Sequence, residues 1–138
     1  MIKTIKTRFT LAKNERLKSR KVIELLFNEG KSFSNFPFRI LYILSKTSEH
    51  SLQAGFSVSS KKFKKAVDRN SIKRLMKESY RLQKNILAEN LKISTQSLSL
   101  FIIYTGNELP NYAAIHDKMG HVITRLVHFA NETSATNT

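Results

Sequence analysis

The 138 residues suit one compact domain, the 41% that are hydrophobic suffice for a core, and 24 Lys+Arg against 10 Asp+Glu leave a net charge of +14. So large an excess repels itself in the folded state, which makes a polyanion the expected partner. The absence of cysteine excludes a disulfide framework, a Cys-containing zinc site and a thiol nucleophile, and no apolar run exceeds the length of Ile40 to Leu44, far short of the roughly 18 residues of a membrane span. With no apolar signal centre near the amino terminus either, a cytoplasmic protein without a membrane partner is expected.

After a basic tail of about residues 1–9, the stretch Ser19 to Glu29 places Val22, Ile23, Leu26 and Phe27 on one helical stripe, with Gly30 as a left-handed stop. Phe38 to Lys46, FRILYILSK, is apolar on both faces and reads as a strand covered on two sides. A polar turn, Thr47 to Ser51, follows. Leu52, Ala54, Phe56 and Val58 then alternate with polar or small residues, the period of a strand with one face in the core. These two runs are expected to pair as a hairpin, preceded by a short strand around Lys31 to Ser34.

From Ile72 the period changes to about 3.6, through Leu75, Met76, Ser79, Leu82, Gln83 and Ile86. This predicts a long helix from about Asp68 to Glu89, with Asp68 as its cap. Ser97 to Thr105 is strand-like and closes at Gly106 and Asn107. Pro110 suits a first helical turn, and Tyr112, Ile115, Met119, Val122, Ile123, Leu126 and Phe129 mark a third helix, ahead of a small polar tail, residues 131–138, expected to be disordered. The order is helix, two or three strands, helix, strand, helix, which points to an α+β fold, a two-layer sandwich with helices packed on a small sheet. A single domain over residues 1–138 is expected.

The charge is not spread evenly. Residues 1–21 carry +7, residues 22–60 carry 0, residues 61–84 carry +8 and residues 85–138 carry −1. Within the third segment, Arg69, Lys73, Lys77 and Arg81 recur every four residues and line one helix face, with Asn70, Arg74 and Lys84 beside them, opposite an arc of Ile72, Leu75, Leu82 and Ile86 that faces the core. Like charges at this spacing oppose one another by a few tenths of a kcal/mol, roughly, per pair. An anionic partner removes that cost: guanidinium forks bind phosphate oxygens in pairs, lysines act as point charges, and an asparagine can bond a base edge or a sugar hydroxyl. The preceding lysines, Lys61, Lys62 and Lys65 among them, extend the same surface.

The four histidines, His50, His116, His121 and His128, show no metal-ligand spacing, and no Gly-rich phosphate loop, nucleophile elbow or carboxylate pair is visible. No catalytic residue and no metal site on the protein itself is expected. A DNA-binding module is the weaker reading, because no pair of helices joined by a tight turn is found.

The stretch AVDRNSIKRLMKESYR, following GFSVSSKKFKK, resembles the signature of the bacterial ribonuclease P protein family, in which a Ser-Val-Ser-like strand end and a lysine-rich turn lead into a helix opening with Arg-Asn-Arg-x-x-Lys-Arg. RLKSRKVIELLFNEGKSF, residues 16–33, resembles the family's first helix and its exit, and FRILYIL the strand after it, so the likeness spans roughly residues 9–129. Ser71 stands where the family's third Arg-Asn-Arg residue would be, Ile23 where members often carry an aromatic, and the Lys61 to Lys65 loop is slightly longer than the common form.

The resemblance implies a mixed four-stranded sheet in the order α-β-β-β-α-β-α, with a left-handed strand-helix-strand crossover that general rules would not predict. It further implies an accessory subunit of a ribonucleoprotein endonuclease: a catalytic RNA, holding Mg2+, removes the 5′ leader from precursor tRNA while the protein assists. By the same likeness Arg69, Asn70, Lys73, Arg74 and Lys77 would face the catalytic RNA, and a cleft between the first helix and the sheet, with Ile23, Phe27, Ile40 and Tyr42 as candidate lining, would hold the leader. A small structural RNA-binding protein, such as a ribosomal component, is the alternative that the basic helix would suit equally well.

Overall fold

A computed structural model describes Arg16, Leu17 and residues 19–46 and 51–136. The basic tail, His50 and most of the expected turn before Ser51 lie outside the described residues. Three helices and four strands follow in chain order: α1 (Arg20–Glu29), β1 (Lys31–Asn35), β2 (Phe38–Lys46), β3 (Leu52–Val58), α2 (Ala66–Ser94), β4 (Gln96–Tyr104) and α3 (Tyr112–Thr136). The class is α+β, as expected.

The strands form one mixed sheet in the order β1-β2-β4-β3. β1 and β2 make an antiparallel hairpin closed by Asn35 opposite Phe38, β2 runs antiparallel to β4, and β3 runs parallel to β4 with Ala54 opposite Leu100. The expected hairpin of β2 with β3 is therefore not formed. β4 lies between them because it is apolar on both faces, with Leu98, Leu100, Ile102 and Tyr104 on one and Phe101 and Ile103 on the other, whereas β3 places Gln53, Gly55 and Ser57 on its second face and suits an edge. The 29 residues of α2 supply the long crossover that a parallel pair needs.

Side chains alternate across the sheet and separate two cores. Phe38, Ile40 and Tyr42 of β2 join α2 and α3 in the main core, with Ile72, Met76, Tyr80, Leu87, Ile115, Met119 and Leu126. Leu41, with Leu17 and Leu26, forms a smaller core on the opposite face, against which Val22, Ile23, Ile43, Phe101 and Ile103 pack. Helices α2 and α3 thus make the full second layer, and the ten residues of α1 cover part of the other face.

Several local expectations are corrected. Gly30 ends α1 in extended conformation (φ −72°, ψ 157°), not in the left-handed region. Glycine is needed there for space, since a Cβ would stand 2.5 Å from the Leu26 carbonyl oxygen, whose group accepts the Gly30 N–H. Helix α2 starts two residues earlier than expected, with Lys65 rather than Asp68 at the cap position; lysine offers only donors, so no side-chain cap bond forms, and Asp68 instead places its charge in the first turn, where the helix dipole favours it. Pro110 precedes α3. Asn111 caps it, its Oδ1 accepting the Ala114 N–H at 2.8 Å. The same helix continues through most of the segment expected to be disordered, to Thr136.

Candidate nucleic-acid interface

Along the amino-terminal half of α2, Asn70, Lys73, Arg74, Lys77 and Arg81 line an open groove of about 530 Å³, and Arg16 closes it from across β3. Arg16 reaches this position because its segment pairs with the outer edge of β3: it bridges Ala54 in parallel, and the Leu17 N–H donates to the Ala54 carbonyl at 3.0 Å. Leu17 then anchors the segment by burial beneath α1. A second hollow of about 250 Å³ shares Arg16, Lys73 and Lys77 and adds Leu17, Ala54, Gly55 and Phe56. Three cations therefore stand on the wall common to both hollows, a geometry that suits an anionic chain running across β3 onto α2.

Arg16 is one of eight Lys and Arg in residues 1–21, and nothing in its local pattern sets it apart. The signal was the +7 of residues 1–21, which marks the segment but not which of its cations returns to the sheet. The groove's one carboxylate, Glu78, is equally unmarked in the sequence. Its Oε2 accepts from the Arg81 guanidinium at 2.6 Å and its Oε1 from Arg81 Nε at 3.2 Å. These hydrogen bonds, with the charge behind them, hold the Glu78 carboxyl below the usual carboxylate range and raise Arg81 in turn.

The remaining predicted cations are placed differently. Arg69 turns away from the groove and donates to the carbonyls of Phe63 at 2.8 Å and Lys64 at 2.9 Å, clamping the lysine-rich loop against the first turn of α2. Lys62 Nζ donates to the Thr105 carbonyl at 2.8 Å, while Lys61 and Lys65 are exposed. Lys84, read as part of the basic face, is buried at 2% exposure, and Leu82 and Ile86, read as core, are exposed. The core-facing arc of α2 runs instead through Ile72, Met76, Ser79, Tyr80, Lys84, Leu87 and Leu91, because the helix is covered by the sheet on one side and α3 on the other.

The four cleft candidates do not meet. Ile23 and Phe27 lie on the α1 face, whereas Ile40 and Tyr42 point through the sheet into the main core. Ile40 is fully buried, and the Tyr42 ring stacks on Phe129, 5.6 Å between centroids. Burial pushes the Tyr42 hydroxyl pKa up. A strand apolar on both faces shows no alternation to tell one from the other, and the α1-facing set is offset by one residue from Ile40 and Tyr42. The α1 face carries Leu41, Ile43, Phe101 and Ile103 instead, and Phe27, 57% exposed, meets the Phe101 ring edge-on at 5.7 Å. Gly55 makes room for that ring: a Cβ there would lie 2.8 Å from Phe101 Cδ1.

Among the described residues no three His, Cys, Asp or Glu side chains gather as a metal site would need, and no helix is long and apolar enough to cross a membrane. His116 is used within the fold, its Nδ1 lying 3.1 Å from the Tyr112 hydroxyl while its carbonyl accepts from Gln83 on α2 at 3.0 Å.

The family described as Ribonuclease P matches residues 11–127. A ribonuclease P protein component of Porphyromonas gingivalis strain W83 is 36% identical over 121 residues, covering 86% of this chain and 87% of its own length. That of Alkaliphilus metalliredigens is 33% identical over 113 residues, covering 82% and 94%. Among solved structures, the RNase P protein from Thermotoga maritima superposes with a TM-score of 0.61 at 26% identity, over 80% of this chain and 96% of that one. The Staphylococcus aureus RNase P protein shares the fold, with a TM-score of 0.63 at 22% identity, over 82% and 95%. Between the two RNA-binding readings these relatives favour the first. The match begins ahead of the Arg16 bridge and ends inside α3, so it takes in the groove and every strand, and the chain belongs to the ribonuclease P protein family.

Proposed function

We propose that the chain, acting as one RNA-binding domain in the cytoplasm, binds the catalytic ribonuclease P RNA and assists it in removing the 5′ leader from precursor tRNA. The observation that carries this reading is the convergence of Arg16 with Asn70, Lys73, Arg74 and Lys77 on one open groove. Cations at this density neutralise phosphates and release counterions, so affinity falls steeply with salt. Apart from Glu78, already held by Arg81, the groove's donors are cationic or neutral, a set that fits phosphate oxygens and not Mg2+. Magnesium in this reading is held by the RNA, where it supports water attack on the scissile phosphodiester. The protein offsets phosphate repulsion, which lowers the magnesium concentration the reaction needs.

The leader in this reading lies over the α1 face, past Phe27 and Phe101, where a base of any identity can stack on an exposed ring. The test is the affinity of the reconstituted holoenzyme for precursor and for mature tRNA. The wild type should prefer the precursor, and Phe27→Ala should erode that preference about fivefold or more, at the lower end of what one stacked base contributes, while affinity for the RNA subunit is kept. Equal affinity of the wild-type holoenzyme for the two tRNAs would contradict the reading.

A further inference from the structure

The β1–β2 hairpin turns through Phe36 and Pro37, and the Phe36 ring is 70% exposed, outside both core clusters and outside both basic hollows. A large apolar side chain so placed gains little from folding. Its backbone, by contrast, is firmly held: the Pro37 carbonyl accepts from the Thr105 N–H at 2.7 Å and from the Thr105 hydroxyl at 3.1 Å. The Thr105 carbonyl in turn accepts from Lys62 Nζ at 2.8 Å. One residue therefore ties the hairpin tip to the lysine-rich loop, where Lys61, Lys62, Lys64 and Lys65 are all exposed. The segment that makes the tie, residues 105–111, contributes the single acid Glu108, against the four exposed lysines of the loop it joins.

We propose that Phe36 is a stacking platform for an unpaired RNA base, with the neighbouring lysines neutralising the phosphates that flank it. The proposal rests on the reading that this chain binds RNA and adds a contact separate from the α2 groove and the α1 face. An aromatic ring offers its face to any base, and cations beside it hold the backbone. The two bonds to Thr105 fix the tip beforehand, so little ordering is required on binding.

The chain contains no tryptophan, so Phe36→Trp installs a single fluorescent reporter at the tip. Ile93→Trp, at a site 83% exposed near the carboxy-terminal end of α2 and the opposite end of the sheet, is the control. Each full-length variant is titrated with a bacterial ribonuclease P RNA, with and without precursor tRNA, and binding is followed in parallel by filter retention. Stacking predicts quenching of the tryptophan at position 36 but not at 93, and the arm in which quenching appears identifies the RNA that supplies the base. Phe36→Ala should lose affinity for that RNA roughly 5- to 100-fold, while Phe36→Trp keeps it. Retained RNA with an unquenched tryptophan at 36, or full affinity in Phe36→Ala, would overturn this proposal alone. Failure of the wild-type chain to bind either RNA would overturn it together with the proposed function.

Discussion

Arg74 and Arg81 carry the same charge on the same groove, yet they differ in what holds them. Arg81 is committed to Glu78 through two hydrogen bonds, and the carboxyl, held below the usual carboxylate range, stays ionised at neutral pH. A depressed carboxyl pKa stabilises the pair above the ordinary carboxylate range, and that contribution is lost as pH falls through the folded value. At neutral pH the groove is thus less positive at Arg81 than the residue count suggests. Arg74→Ala should weaken RNA binding and flatten its salt dependence by roughly one counterion's worth. Glu78→Gln should do the reverse, removing the carboxylate charge that faces Arg81, tightening binding a few-fold and steepening the slope by a similar amount. Titrations of RNA binding over a range of salt concentrations check both, and identical slopes in wild type and Glu78→Gln would show that the Glu78 charge is not felt at the interface. A third residue, Gly55, connects the fold to the site. Gly55→Ala drives a Cβ into the Phe101 ring, and a cost of about 1–3 kcal/mol is expected from thermal or urea unfolding.

At the scale of elements, helix α2 shows what periodicity can and cannot reveal. Its existence, its basic face and its entry from the lysine-rich loop are legible in residues 61–81, yet its inward face is not. Leu82 and Ile86 are apolar and exposed, while Lys84 is polar and buried, its long aliphatic stem suited to lying against apolar neighbours. Packing against both the sheet and α3 widens the buried arc beyond a single stripe, and only the tertiary arrangement sets its phase. Leu87→Ala should therefore cost about 2–5 kcal/mol, and Ile86→Ala no more than about 0.5 kcal/mol, measured by urea unfolding. Comparable losses at both positions would contradict the observed phase. The strands repeat the lesson. β3 alternates cleanly and its inward face is legible, whereas β2 is apolar on both faces, so its sequence does not separate Ile40 and Tyr42 of the main core from Leu41 and Ile43 of the α1 face.

For the whole molecule, the class and the seven elements follow from local patterns, but the strand order does not. Pairing β2 with β4 joins residues fifty or more positions apart, as in Phe38 opposite Tyr104, and no local pattern encodes that choice against a nearby hairpin. Clustered charge is a different matter, since a run of cations stays together wherever its segment goes. Arg16, from the basic amino-terminal segment, meets Lys73, Arg74, Lys77 and Arg81 of the second basic segment at the α2 groove, while residues 85–138 carry −1 in sum. That convergence makes the α2 groove suited to an RNA backbone. The direct test is leader removal from precursor tRNA by a matched bacterial ribonuclease P RNA at low magnesium, with and without the full chain. Cleavage should rise when the wild-type protein is added, and an Arg16→Ala, Arg74→Ala double variant that remains folded should give a smaller gain. No gain from the wild-type protein with that RNA bound, or an undiminished gain from the double variant, would contradict the account.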